Sequence, residues 1–396
     1  MLRAARSTGG KHMDYLFVLP GSLPYPTGGH KMMYELARRL SKDGHNVGIL
    51  FVRDIYRCIY GIEKSEAMNQ FLKSRSKIFR SYEKLINTHV GYRFLLPILR
   101  KAMKVEYSDN LDGILVFFTT RELRKYTIRF VFASSWQAAY VVNVNFHNSK
   151  KFYLIHHEED STPFASKLAT IASNTYSFDL KKIVINQKVF ERFKNDDPIL
   201  ITAGHEIEKY FITVPPEDRK ATSVIFPLRK GEDKGATFAI EVAYRLHLIQ
   251  TDVTLISFGN YDHDEIPDFI DHKGFVSDKE LVALYNSSSV LFLPSIVEGF
   301  SLIGLEAMAC GVLVVTLNNG GVNEYLIDGH NGVIVKSMDP SEVVDTILEL
   351  FNDNKRRSAL VIHGIETAKN FTYDSMYQRF RNAMDVYSEY AYKKGW

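Results

Sequence analysis

Cysteine is nearly absent from this chain. Cys58 and Cys310 are the two in 396 residues. They are far apart and belong to no ligand pattern, which argues against a disulfide framework and a cysteine-held zinc. No apolar run approaches the length of a membrane span, and the N-terminus lacks a secretory apolar stretch. Charge of one sign is also missing: 49 Lys and Arg against 46 Asp and Glu leave a formal net charge of +3. A nucleic-acid partner would need a concentrated basic face, so none is expected. No internal repeat is visible. What remains is 45% hydrophobic and 24% charged residues over a length suited to two domains, an ordinary globular composition. A cytoplasmic location is expected.

Strand and helix patterns alternate along both halves. Tyr15–Leu19 reads as a strand, and Gly28-Gly29 precedes an amphipathic segment, His30–Ser41, with Met33, Leu36, Ala37 and Leu40 on one face. Gly44 stops that helix and Val47–Val52 is the next strand. Gly28-Gly29 is short of a full G-x-G-x-x-G fingerprint. It either permits a tight turn or lets the backbone approach a phosphate. Further strands are read at Asp112–Thr119, Arg129–Ala133 and Phe152–Ile155, the last running into His156-His157-Glu158-Glu159-Asp160. Such a cluster at a parallel strand's C-terminal end faces the crevice where open α/β sheets bind ligands. Adjacent histidines on an extended chain point in opposite directions, which argues against joint metal coordination. Residues Met1 to His12 are basic and polar, expected to form a disordered lead; a presequence is the sharper reading, which so short a segment does not support.

The most informative stretch is LPSIVEGFSLIGLEAMACGVLVVT. It reads as a strand (Leu291–Pro294), a tight loop (Glu298-Gly299-Phe300-Ser301) and a helix (Leu302 to Cys310). Free N–H groups in the first helical turn, together with the helix dipole, favour a phosphate there. Glu298 lies in the loop and Glu306 about two turns away by helix geometry. Two acceptor side chains beside a phosphate site suit a ligand carrying hydroxyls as well as phosphate, as a nucleotide-sugar does. Upstream, a strand at Ser223–Pro227 leads into Leu228-Arg229-Lys230-Gly231-Glu232-Asp233-Lys234-Gly235 and a helix through Leu246. A guanidinium and an ammonium there can neutralise a leaving diphosphate; the plainer alternative is a solvated turn.

This segment resembles the E-x7-E motif of the retaining glycosyltransferases of family 4, including its flanks E-G-F-S-L, E-A-M-A-C-G and Gly320-Gly321-Val322-Asn323-Glu324. The resemblance implies the GT-B architecture, two Rossmann-like domains facing across a cleft with a last helix returning to the N-domain. It implies that Glu306 binds ribose hydroxyls and Glu298 those of the transferred sugar. The backbone of Gly299, Phe300, Ser301 and Leu302 would face sugar and diphosphate, and Arg229 and Lys234 would hold the diphosphate. Gly29 would lie at the donor phosphate or the acceptor. His156, with His157 as the alternative, would lie near the transferred sugar. The run I-H-H-E-E and the segments Ser173-Asn174-Thr175-Tyr176 and Ile183–Asn186 are similar to a subgroup with bacterial rhamnosyltransferases, which has I-Q-D-x-E at the first of these.

The implied domains are 13–203 on the acceptor side and 204–375 for the nucleotide-sugar, followed by a helix over 376–396. The linker is expected between Ile201 and Lys220. Tyr377, Phe380, Met384 and Tyr387 give the last helix an apolar face. Between Phe71 and Lys104, basic residues interleave with apolar ones, which suits docking on anionic lipid or a solvated pair of helices. The expected reaction moves a hexose from a nucleotide-diphosphate sugar to a glycan or lipid-linked glycan. A nucleotide-sugar epimerase and a non-catalytic nucleotide-binding scaffold are the alternatives. No cofactor or metal is expected: Asp262-His263-Asp264 is the one D-x-D triplet, and it reads as a solvated loop.

Overall fold

The computed structural model describes residues 11–20, 28–51, 111–117, 119–160 and 169–393. The basic stretch 71–104 lies outside them. The described chain falls into two compact units. One lies within Met1–Val184 and Arg192–Ile199, the other comprises Ile185–Glu191 and Leu200–Trp396. The first unit thus ends close to the expected linker, but Ile185–Glu191 already belongs to the second.

In the first unit the strands are β1 (Lys11–Leu19), β2 (Val47–Phe51), β3 (Leu115–Phe117), β4 (Tyr126–Ala133), β5 (Lys150–Ile155), β6 (Lys181–Val184) and β7 (Ile199–Leu200). Their order in the sheet is β3-β2-β1-β4-β5-β6-β7, and the pairings from β3 through β6 are parallel. Strand β1 starts four residues before the expected Tyr15. Lys11 and His12 pair with Tyr126 and Thr127, so these two residues belong to the sheet rather than to a disordered lead. Backbone pairing to β4 holds them, although their side chains are exposed. Helix α1 (Gly28–Lys42) buries Met33, Leu36, Ala37 and Leu40 as the periodicity requires. Each large aliphatic side chain buried this way contributes about 1.5–3 kcal/mol. Helix α2 (Trp136–Asn145) is capped by Ser135, whose side chain accepts from the Ala138 N–H. Helices α3 (Ala169–Asn174) and α4 (Gln187–Arg192) follow.

The second unit repeats the plan. Its strands are β8 (Ser223–Pro227), β9 (Thr254–Phe258), β10 (Asp271–His272), β11 (Val290–Leu293), β12 (Leu313–Leu317) and β13 (Val333–Val335). Their order is β10-β9-β8-β11-β12-β13, parallel throughout. The helices are α5 (Ala236–Ile249), α6 (Asp278–Asn286), α7 (Leu302–Ala309), α8 (Pro340–Asn352), α9 (Asn354–Asn370) and α10 (Tyr373–Lys393). Strands buried on both faces read as continuous apolar runs, as LVVTL does in β12. On α10, Tyr377, Phe380 and Met384 are buried; by its contacts this helix groups with the second unit. Among the described residues no helix is long and apolar enough to cross a membrane.

The strand order has a direct consequence. In each unit the order reverses between two neighbouring central strands, β1 and β4 in the first, β8 and β11 in the second. Open α/β sheets bind ligands outside the carboxyl ends of the strands at that switch point. In the second unit, the loops that leave β8 and β11 carry Arg229, Lys234 and Glu298.

Candidate active site

Neighbouring strands β8 and β11 send their loops to the same edge, and one glycine lets those loops touch. Gly235 has φ +66°, and a Cβ there would run into the Pro294 carbonyl. Any other residue would be strained and would push the two loops apart. Because they meet, three side chains converge. Arg229 Nη2 donates to Glu298 Oε1 at 2.5 Å and to Ser295 Oγ at 2.9 Å. Lys234 Nζ stands 3.3 Å from the same Glu298 oxygen and 3.0 Å from Asp233. Burial pushes the Glu298 carboxyl up, but Arg229 and Lys234 outweigh it, so its pKa is held below the ordinary value. Glu298 is therefore an anion resting on two cations.

The chain then turns sharply into α7. Ser301 has φ 61° and ψ 66°, the left-handed region that costs a residue with a side chain on the order of 1–3 kcal/mol. The Tyr325 hydroxyl donates to the Ser301 carbonyl at 2.8 Å and braces the turn. Phe300 is buried beside Tyr325 and Phe371. The Glu298 N–H donates to Asn319 O at 3.0 Å. Asn319 Oδ1 in turn accepts from the Gly321 and Val322 N–H groups. Gly321 itself lies so close that a Cβ would sit 2.8 Å from Phe300 N. Leu302 and Ile303 open α7, where helix geometry leaves the first N–H groups without intrahelical acceptors. Glu306, on the second turn, is 6% exposed. Burial, and then the Glu306 charge, push the Tyr210 and Tyr285 hydroxyls well above their ordinary pKa.

His156 and Gly29 meet in the first unit. A Cβ on Gly29 would stand 3.1 Å from His156 Nε2, so Gly29 gives the imidazole room. Helix α1 starts at Gly28, which places Gly29 in the first helical turn rather than in the loop before it. His156 Nε2 is buried with no hydrogen-bond partner among the described residues. Burial, followed by the neighbouring His157 and His30, pushes this imidazole down to about 3, so it is neutral at physiological pH. Of the two histidines that follow β5, it is His156 that packs against Gly29.

The acids after His156 are occupied elsewhere. Asp160 takes both Arg192 terminal nitrogens at 2.7 and 2.6 Å, which holds its pKa below the ordinary value. Buried Glu159 accepts from Tyr153 Oη at 2.5 Å and from the Trp136 N–H at 2.7 Å. Burial pushes it up to about 7, against those two hydrogen bonds. Asp262 of the D-x-D triplet pairs with Lys230 at 2.7 Å.

Sequence reasoning missed Ser295, Asn319 and Asn186. Asn186 Nδ2 donates to the Gly299 carbonyl at 2.7 Å, and the Gln187 N–H donates to Glu324 Oε1 at 2.7 Å. Asn186 and Ser295 lie within stretches already singled out in the sequence, but their roles were not legible because their partners Gly299 and Arg229 are far away in sequence. The structure thus assembles Arg229, Lys234 and Glu298, with Gly299 to Leu302 and Glu306 following on the same loop and helix. It brings Gly29 and His156 together separately, in the other unit.

Comparison with known proteins fits this geometry. Residues 214–367 match the family of glycosyl transferases group 1, well under half of the chain. An uncharacterized glycosyltransferase of Methanocaldococcus jannaschii is 32% identical over 116 residues, 29% of this chain and 33% of that protein. A D-inositol 3-phosphate glycosyltransferase of Paenarthrobacter aurescens is 36% identical over 92 residues, 23% of this chain and 22% of that protein. The matched stretch thus spans a third or less of these curated relatives. Anabaena HepE, solved in complex with UDP-glucose, superposes with a TM-score of 0.67 at 15% identity, covering 95% of this chain and 100% of that one. The fold is that of the GT-B glycosyltransferases, and residues 214–367 of this chain carry its glycosyl transferases group 1 segment.

Proposed function

We propose that this protein is a retaining glycosyltransferase that moves a hexose from a nucleotide-diphosphate sugar to a saccharide or lipid-linked saccharide. The observation that carries this reading is the convergence of Arg229 and Lys234 on Glu298 at the switch point, beside the free N-terminus of α7. In this reading the diphosphate sits against Arg229, Lys234 and the first turn of α7. Fixed positive charge there stabilises the leaving phosphate as its negative charge develops. Glu298 accepts from hydroxyls of the transferred sugar and Glu306 from those of the ribose. His156, neutral and with Nε2 unpartnered, supplies a hydrogen bond near the sugar. The acceptor attacks from the face that the nucleotide leaves, which keeps the anomeric configuration.

A structural neighbour supports the donor class, and the names of curated relatives support glycosyl transfer. HepE was solved with UDP-glucose, and several curated relatives are D-inositol 3-phosphate glycosyltransferases. The family 4 and rhamnosyltransferase-like assignments rest on the motif flanks and on Ile155 to Glu159. The domain roles proposed are acceptor binding by 13–203 and nucleotide-sugar binding by 204–375. The stretch 71–104 would dock the protein on the inner face of a membrane. No metal or cofactor enters the reaction as proposed.

A panel of nucleotide-sugars, scored for nucleotide release with and without acceptor, tests the reading. Acceptor-dependent release with retained configuration is expected. Epimerised sugar released without acceptor would identify an epimerase. Binding without turnover would identify a scaffold.

A further inference from the structure

The loop that carries Glu298 is held by a segment of its own unit that lies more than a hundred residues earlier in sequence. Asn186 is buried, 4% exposed, and comes from the segment that follows β6. Its two side-chain ends do different work. Oδ1 accepts from the Val189 N–H at 2.8 Å and caps α4. Nδ2 donates to the Gly299 carbonyl at 2.7 Å, across 113 positions of sequence. The next residue repeats the attachment, since the Gln187 N–H reaches Glu324 Oε1 at 2.7 Å. Glu324 closes the turn that follows Asn319 and Gly321, and Asn319 is the residue whose carbonyl accepts the Glu298 N–H. Residues 186 and 187 therefore hold both strands of backbone that frame Glu298.

We infer that Asn186 is a positioning residue for transfer, acting through the orientation of the Gly299–Ser301 backbone. The peptide unit is planar, so fixing the Gly299 carbonyl fixes the plane that joins Gly299 to Phe300. One residue later Ser301 adopts its left-handed conformation, which persists only where its surroundings over-determine it. The Asn186 amide on one side and the Tyr325 hydroxyl on the other supply that constraint. If the loop relaxes, Glu298 and the first N–H groups of α7 shift relative to each other. Arg229 and Lys234, anchored on the loop after β8, do not move with them. The defect should therefore fall on the chemical step more than on nucleotide binding. This inference rests on the transferase reading above.

Asn186→Ser tests it. Serine can still cap α4 but is too short to reach the Gly299 carbonyl, so the fold should hold. The donor used is the nucleotide-sugar that the wild-type protein turns over fastest. With the loop loosened, kcat should fall roughly 10- to 100-fold, the scale expected for misplacement of reacting groups. The affinity for the nucleoside diphosphate alone should fall by a smaller factor than kcat, because the α7 N–H contacts loosen while the Arg229 and Lys234 side chains still contact the diphosphate. Amide hydrogen exchange over 298–303 should accelerate, with exchange in β8 and β12 unchanged. Wild-type kcat in a folded Asn186→Ser protein would overturn the positioning role and leave the transferase reading standing. Unchanged exchange over 298–303 would overturn it as well. A wild-type protein that turns over no nucleotide-sugar would overturn the transferase reading, and the positioning role with it.

Discussion

Arg229 and Glu298 form a 2.5 Å ion pair across the two loops that leave adjacent strands, and Lys234 shares the same carboxylate oxygen at 3.3 Å. The contact joins positions 69 apart in sequence, and it exists because β8 and β11 are neighbours in the sheet. Glu298 thus has a double relation to the two cations. It neutralises them, and it competes with any diphosphate that they would hold.

Removing a cation should disable turnover. Arg229→Ala or Lys234→Ala is expected to lower kcat by roughly 10²-fold or more, as for loss of a charge-stabilising donor. Arg229→Ala should also raise the Glu298 pKa, because the guanidinium charge that chiefly opposes burial would be gone. Steady-state kinetics beside a thermal melt separates the two effects. Wild-type turnover in both variants would remove Arg229 and Lys234 from the site.

The two carboxylates should behave differently. Glu306→Gln is expected to weaken nucleoside diphosphate binding, since ribose contacts serve the free nucleotide too. Glu298→Gln should leave that affinity intact or tighten it, because a competing anion is removed from Arg229 and Lys234. Transfer should nevertheless fall. Calorimetry with the nucleoside diphosphate alone reads both, and equal losses in the two variants would refute the assignment.

His156 and Glu159 make stability depend on pH in opposite directions. The imidazole is held at about 3 against an ordinary 6.5, so between those values the unfolded chain binds the extra proton. Its contribution therefore rises with pH from about 3 to 6.5 and is lost as pH falls. Glu159 is held at about 7 against an ordinary 4.5, so the folded chain binds the extra proton. That contribution is present below pH 4.5 and is lost as pH rises to about 7. Denaturant melts across this range should show Glu159→Gln steepening the gain in stability with pH. An unchanged slope would contradict the buried-acid assignment. In a nuclear magnetic resonance titration, the His156 ring should show no inflection above about pH 5.

Membrane docking through 71–104 has its own signature. Binding to anionic vesicles should fall steeply with salt, since the screening length shortens from about 30 Å at 0.01 M to about 10 Å at 0.1 M. Reversing Lys73, Lys77, Arg80 and Lys84 to Glu should abolish co-sedimentation while sparing activity on a short soluble acceptor. Wild-type protein that ignores such vesicles at low salt would make this stretch a solvated surface.

Much of the fold was legible because its elements carry local signals. Ser223–Pro227 is the strand expected, and α7 starts at Leu302 as the E-G-F-S loop requires. Helix α9 was not legible. Its buried residues are only Leu360, Val361, Gly364 and Ala368 among charged and polar neighbours, too thin a stripe to stand out by period. At the site, the residue types were legible and their contacts were not. Arg229, Lys234 and Glu298 appeared as separate loops, and strand order alone brings them to one oxygen. Ser301 is not a residue type that signals a left-handed turn. Asn186 acts at a distance that no window of sequence spans.

The most direct test is nucleotide release by the wild-type protein from a panel of nucleotide-diphosphate sugars, with Arg229→Ala measured alongside. The account predicts release from at least one donor that is accelerated by a saccharide or lipid-linked saccharide acceptor. The product should keep the donor's anomeric configuration, and Arg229→Ala should release roughly 10²-fold less. Release that is indifferent to both acceptor and Arg229, or a product with inverted configuration, would contradict it.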